Sequence, residues 1–404
     1  WPGRGNGFFG TGALDDCPAD TFGSDRHVTM ATSPSYSDVN LDGIRLDDVN
    51  GDGLDDLVQI RFDAVDVWLN VDGKGWTSDR HIIEKSPYSP SFQSRTRLVD
   101  VNGSGTRDIL WGDGNAYKYI DLLGGARPWV MTRVENGLGK TTDLEYASST
   151  SLMLAAEKAG DGWKRKAPMP LHVVVRTTER DHLNLVKRPE GVYVTEYTYR
   201  DPVYDGRQRE FRGFSETQVR KVGDANSPTS VETSQFLLGE CAIGAKPCTI
   251  ADRWMDNPRE ALKGLPVVVS SRAEGTGVVL STGHHTYRLR RLYKGLDERD
   301  VYHAFESGSQ SFLYDVAAFV PSASTVHPPE LELEDAAAGG PVTTSNGPVT
   351  LATGATGRAT VEGTVEVDVF GNKIVTTARG CVDCAPKDPV IVSHTEAGRP
   401  DGDP

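Results

Sequence analysis

Two segments carry the residue types and spacing that could do chemistry. Asp48-Val-Asn-Gly-Asp-Gly-Leu-Asp-Asp56 and Asp100-Val-Asn-Gly-Ser-Gly-Thr-Arg-Asp108 lie in register, 52 residues apart. In the first, Asp48, Asn50, Asp52 and Asp56 put oxygen-bearing side chains at positions one, three, five and nine, and Leu54 adds a backbone carbonyl at position seven. Short loops wrap a hard cation such as Ca²⁺ in this way, with Gly at position six allowing the sharp turn. In the second, Asp100, Asn102, Ser104, Thr106 and Asp108 take the same places. There Ser104 removes a charge at position five, and Arg107 sets a positive charge beside Asp108, so the first loop is the stronger candidate. The expected ion is structural Ca²⁺, stiffening the loop without taking part in a reaction. The metal-free alternative is a turn whose Asp and Asn side chains bond their own backbone N–H groups.

The elements around these loops are strands. An EF-hand would follow its loop with Glu at position twelve and a helix, but Gln59 and Trp111 stand there, inside the apolar runs Leu57–Ile60 and Ile109–Trp111. Each loop has a short apolar lead (Ile44–Leu46, Arg97–Val99) and a second strand beyond it (Val65–Leu69, Ala116–Ile120). A repeat of about fifty residues with several short strands is the size of a propeller blade. These residues resemble the FG-GAP (VCBS) repeat of integrin-like β-propellers. Two blades cannot close a ring, so the remainder of a propeller is expected outside this chain. Asp38–Gly43 reads as a turn beside the first repeat.

Composition limits the remaining choices. A formal charge of −14 over 404 residues argues against nucleic acid, whose phosphates need a basic surface, and against contact with an anionic membrane. No apolar run of eighteen residues occurs, so no helix is expected to span a bilayer. The chain begins at Trp1 without Met and reads as an internal piece of something longer. The one helical candidate, Ala155–Lys166, is interrupted by Gly160 and Gly162. Of the five cysteines, Cys17 reads as inert. Cys241, Cys248, Cys381 and Cys384 suit two local disulfides or reduced thiols better than a four-thiolate zinc site.

From about residue 126 the pattern becomes a series of hairpins. Arg127–Gly139 with Thr141–Tyr146 reads as strand, tight Asn-Gly turn, strand. Strands follow at Leu171–Thr178, Val192–Tyr199, Arg209–Val219, Val267–Arg272, Gly283–Arg291 and Gln310–Val316, and Gly363–Thr377 forms a hairpin about Gly371-Asn372. Nothing reads as a βαβ unit, so the expected sheet is antiparallel. Asn136-Gly-Leu-Gly139, then Tyr204-Asp-Gly206 and Arg209-Glu-Phe-Arg-Gly-Phe214, resembles the middle region of the B component of insecticidal toxin complexes, the Tc/SpvB/Rhs class. Val367-Asp-Val-Phe-Gly-Asn372 resembles a degenerate Rhs/YD repeat.

That resemblance implies an all-β chain: the C-terminal blades of an FG-GAP β-propeller, then an antiparallel Rhs/YD-type ribbon forming part of a hollow shell. The expected divisions are residues 1–125 for the blades, 126–320 for shell strands, 321–360 for a loop-rich linker and 361–404 for a YD-like hairpin and tail. It implies a non-catalytic carrier that encapsulates a toxic polypeptide. Its partners would be a pore-forming A-like subunit and a C-like Rhs partner, or the chain's own further shell and cargo, in a secreted or cell-surface setting. The alternative is a secreted or cell-surface Ca²⁺-stabilised FG-GAP/YD adhesin. An SpvB-like enzyme would need an ADP-ribosyltransferase domain, for which the sequence has no candidate.

The other polar clusters read as structural. His284 and His285 are consecutive strand residues that point to opposite faces and cannot easily chelate one ion. Tyr193, Tyr197 and Tyr199 share a strand face, packed on its neighbour or lining a cavity. Arg209, Glu210 and Arg212 suggest an ion network without a nucleophile. Glu330-Leu-Glu-Leu-Glu-Asp335 reads as a solvated acidic loop.

Overall fold

The computed structural model describes residues 32–34, 43–61, 64–86, 96–112, 116–183, 189–243, 246–247, 257–275, 279–296, 298–313, 322–326, 332–333, 349–353, 359–368, 372–381 and 389–395. Expectations placed on Cys17, Cys248, Cys384 and Asp38–Asp42 lie outside these residues. The chain divides into two compact units, Trp1–Val130 and Met131–Pro404.

The first unit is built from short strands. Strands β1 (Ile44–Asp47), β2 (Asp56–Ile60), β3 (Ala64–Trp68) and β6 (His81–Glu84) form one antiparallel sheet in that order. The pair β4 (Asn70–Val71) and β5 (Gly75–Trp76) lies between β3 and β6 in sequence. Strands β7 (Thr96–Val99), β8 (Asp108–Gly112) and β9 (Tyr117–Asp121) form a second sheet. The 52-residue spacing read from the sequence recurs in the strand register. Asp47 pairs with Asp56 as Val99 pairs with Asp108, and Leu57 pairs with Trp68 as Ile109 pairs with Ile120. Both repeats feed a single core of Val49, Val58, Ile60, Val65, Val67, Ile109 and Trp111. In β3 every residue is buried, including Asp66. Its carboxylate is matched by Arg61 Nε at 2.6 Å and Arg80 Nη1 at 3.3 Å, as a buried charge requires.

The second unit is one long sheet. In sheet order its strands are β10 (Arg133–Glu135), β11 (Thr141–Ser148), β12 (His172–Arg180), β13 (Val192–Asp205), β14 (Glu210–Lys221), β15 (Ser230–Leu237), β18 (Leu265–Ala273), β19 (Val279–Lys294), β20 (Asp300–Leu313), β24 (Ala359–Val367), β25 (Lys373–Cys381) and β26 (Val390–His394). All these neighbours are antiparallel, as expected. The short pairs β16 (Ala242–Ile243) with β17 (Lys246–Pro247), and β21 (Ser322–Val326) with β23 (Val349–Thr353), stand apart. A further short strand, β22 (Glu332–Leu333), adds to β19 in parallel. The acidic segment read as a solvated loop therefore contains a paired strand.

Two other expectations are corrected. The helix α1 runs Ser149–Lys158, ahead of the expected Ala155–Lys166. Ser148 sets its start, because its side chain accepts the Ser151 N–H, and Gly160 at φ +79° takes the left-handed position past its end. The turn after β10 is longer than two residues, because Glu135 pairs with Thr141. Asn136 Oδ1 accepts N–H groups from Leu138 (2.8 Å) and Lys140 (3.0 Å), and Gly137 and Gly139 both have positive φ. The Asn-Gly-Leu-Gly segment thus folds around its own Asn side chain, and Leu138 is left exposed.

Candidate functional site

The two acidic loops have the same internal geometry. Asp48 Oδ1 accepts from the N–H groups of Gly51 (2.7 Å) and Asp52 (3.1 Å), and Oδ2 accepts from Gly53 (2.9 Å). Asp100 repeats this with Ser104 (3.0 Å) and Gly105 (2.8 Å). Asn50 and Asn102 each accept from the residue two ahead, at 2.9 Å in both loops. The glycines at positions four and six all have positive φ. At position nine the loops diverge. Asp56 is fully buried and accepts from Val49 N–H (3.1 Å) and Asn70 N–H (2.8 Å). Asp108 is equally buried and accepts from Val101 N–H (2.9 Å), but its Oδ1 has no hydrogen-bond partner. Burial raises both carboxyls above their ordinary pKa, against the lowering pull of those N–H groups.

These side chains fit Ca²⁺ in donor type: in the first loop three carboxylates, an amide and the Leu54 carbonyl are all hard oxygen donors. As they stand they are committed to the loop itself. Asn50 Nδ2 donates to Asp52 Oδ2 (3.0 Å), and the Ser104 and Thr106 hydroxyls meet at 2.8 Å. Among the described residues no three His, Cys, Asp or Glu side chains converge as a metal cluster.

In the second unit the polar centre is Arg212, with 1 % of its side chain exposed. The Asp205–Glu210 hairpin turn, with Arg209 at φ +57°, leads into β14. Arg212 Nη2 donates to Asp205 Oδ2 (2.8 Å) and Glu260 Oε2 (2.6 Å), and Nη1 donates to the carbonyl of Gly239 (3.1 Å). Glu260 lies on the 3-10 helix Pro258–Leu262, which also carries the core residue Leu262. Burial would raise the Asp205 carboxyl, but the Arg207 and Gln208 N–H groups and the guanidinia of Arg207 and Arg212 hold it below its ordinary range. Gly213 at φ +119° allows the strand to turn Phe214 inward, where its ring lies 5.0 Å from Tyr199 and 6.1 Å from Trp163. The ion network read from Arg209, Glu210 and Arg212 is thus centred on Arg212. Glu210 instead bonds Lys263 at 2.6 Å. Asp205 and Glu260 were not named with it; Glu260 lies 48 residues along the chain, beyond any spacing rule.

The remaining clusters sort as structural. His284 is buried with its ring edge against Phe312, while His285 bonds Glu306 at 3.0 Å. Tyr199 donates to the Val174 carbonyl (2.8 Å), whereas Tyr193 is exposed. Along one face of the sheet Glu145, Arg176, Glu196 and Arg220 are successive register partners, an alternating row of charge ending at Glu274. Cys241 and Cys381 are disulfide-bonded, which excludes both from a zinc site.

Residues 82–239 match the family model of the insecticide toxin TcdB middle/N-terminal region. That matched stretch is Tc toxin B-component-like. The match takes in Asp205, Arg212 and Gly239 of the buried node. Among solved structures, the chain is similar to one in the Photorhabdus luminescens Tc holotoxin pore, with 16 % identity and a TM-score of 0.62 over 86 % of this chain and 16 % of that one. It is also similar to a chain of TcdB2-TccC3, with 17 % identity and a TM-score of 0.61 over 91 % and 18 %. The likeness is one of fold, and the chain spans less than a fifth of the length of either neighbour. No curated protein matches it.

Proposed function

We propose that this chain is a non-catalytic structural segment of a Tc-toxin B-like (Rhs/SpvB) protein that helps to enclose a toxic polypeptide. The observation that carries the reading is the thinness of the long sheet. In an ordinary sandwich, strand residues alternate between buried and exposed. In β12 eight of nine residues are half-buried, on both faces alike, and β13 and β14 are similar. Over these three strands both faces are half-accessible alike, which suits a wall with an inside and an outside. At β18 and β19, by contrast, the 3-10 helix covers the sheet through Leu262. Pairing along the ribbon covers most strand edges, as a container needs.

In this reading the unit Trp1–Val130 supplies FG-GAP blades of a β-propeller that docks on a pore-forming A-like subunit. The solved neighbours include TcdB2-TccC3, which supports a C-like partner closing the shell. The disulfides at Cys241 and Cys381 support a secreted or cell-surface setting. Ca²⁺ held by Asp48, Asn50, Asp52, the Leu54 carbonyl and Asp56, and more weakly by Asp100, Asn102, Ser104, Thr106 and Asp108, would stiffen the blades.

Co-purification with a C-like partner followed by limited proteolysis tests the carrier role. A partner-derived polypeptide that resists protease until the assembly is denatured is the expected result. A fragment digested at the rate of free polypeptide would refute it.

A further inference from the structure

The connection from α1 to β12 crosses to β13 and β14 before it returns. Residues 162–170 belong to no helix or strand. Both ends are anchored: Asp161 N–H reaches the Ala156 carbonyl at 2.9 Å, and Leu171 N–H reaches the Ser149 hydroxyl at 3.0 Å. Between those anchors the contacts to the sheet are made with charged groups. Arg200 donates to the Asp161 carboxylate and, at 3.0 Å, to its carbonyl. Asp201 Oδ1 accepts the N–H groups of Lys164 (2.5 Å) and Arg165 (3.2 Å). Arg165 Nη1 donates to Glu240 Oε2 at 2.8 Å, past the end of β15. One ring contact joins them, Trp163 edge-on to Phe214.

These contacts are easily given up. The Asp161 side chain is 72 % exposed, and the Arg165–Glu240 pair is also open to solvent. Exposed ion pairs contribute little each, and no strand ladder backs them here. Asp201 shows that the crossing is nonetheless specified. It is held at φ +52°, which costs a non-glycine residue, with its carboxylate committed to two amides of the crossing segment. It also has no register partner: Arg200 pairs with Glu216 and Pro202 with Phe214.

We propose that residues 161–170 form a strap latched by charge at Arg200, Asp201 and Glu240, which lifts as a unit while β13 and β14 stay paired. Lifting takes Trp163 off Phe214 and unties the end of α1 from β13. Salt screens exposed charge pairs, so ionic strength sets how often the latch is open.

The strap carries its own reporter. Lys164, Arg165 and Lys166 are exposed trypsin sites, but with two of their amides held by Asp201 they are cut only when the strap lifts. Cleavage then follows the open population. The full chain is digested, and the cut after residues 164–166 is followed by mass spectrometry relative to a free peptide of residues 158–170 at the same salt. Raising salt from about 0.05 to about 0.5 M is expected to speed the cut about fivefold. Asp201→Gly keeps the left-handed backbone and removes the acceptor, and is expected to speed it about tenfold, with amide exchange in β13 and β14 unchanged. No response to salt, or none to Asp201→Gly, overturns the proposal. So does cleavage that rises only together with exchange across β13 and β14, since the sheet is then what opens. If Asp201→Gly does not fold, the wild-type salt titration and Glu240→Gln decide, and a flat response in both overturns it.

Discussion

Arg212 reaches Glu260 at 2.6 Å and so ties the start of β14 to a 3-10 helix 48 residues further along. The same guanidinium holds Asp205 and the Gly239 carbonyl, so one buried cation fixes a hairpin turn, a strand exit and a helix together. Removing it strips Asp205 and the Gly239 carbonyl of their shared cationic donor, leaving Asp205 with the Arg207 and Gln208 N–H groups and Gly239 with Asn257 Nδ2. Arg212→Met is expected to lower stability by about 3 kcal/mol, near the low end for breaking a buried pair because Glu260 is partly exposed. Arg212→Lys, which keeps the charge and loses the fork, is expected to recover less than half of that. Urea midpoints of the three proteins check both.

Acid should act through the same node. The Asp205 carboxyl is held below its ordinary value, so its ionised form stabilises the fold above the unfolded-state pKa of about 3.9. That contribution is lost as pH falls from there through the lower folded value. Asp205→Asn is expected to be less stable at neutral pH and to flatten the stability profile below about pH 4. A profile as steep as the wild type would contradict it.

Gly213→Ala tests why the Glu-Phe-Arg-Gly-Phe segment has glycine at its fourth place. A side chain there would adopt φ +119° and bring its Cβ to 3.2 Å from Leu238 Cδ2. A loss of about 1–3 kcal/mol is expected, read as a lower thermal midpoint.

Asp52→Asn separates Ca²⁺ from hydrogen bonding in the first loop. The Asn side chain can still accept the Leu54 N–H that Asp52 accepts at 2.8 Å, but it loses a ligand charge. The wild type is expected to melt higher in Ca²⁺ than in chelator, and the variant to lose most of that difference. Equal melting of the wild type in both would exclude Ca²⁺ from these loops.

The sequence was most legible where structure is local or repeated. The Asp48 and Asp100 loops recur with matching register, and Val192–Tyr199 and Gly283–Arg291 fall inside real strands because alternation and turn residues lie within a few positions of each other. Strand β15 was missed, since Ser230–Leu237 mixes polar and apolar residues and is held by pairing on both sides. The start of α1 depends on one hydroxyl, that of Ser148. Two of the Arg212 partners, Gly239 and Glu260, lie tens of residues away, and β22 is a two-residue strand paired on β19.

The most direct measurement of the carrier role is electron microscopy of the protein from its native source, purified with whatever accompanies it. A closed hollow shell capped by a propeller is the predicted result. A solid or extended particle without a cavity would contradict the account.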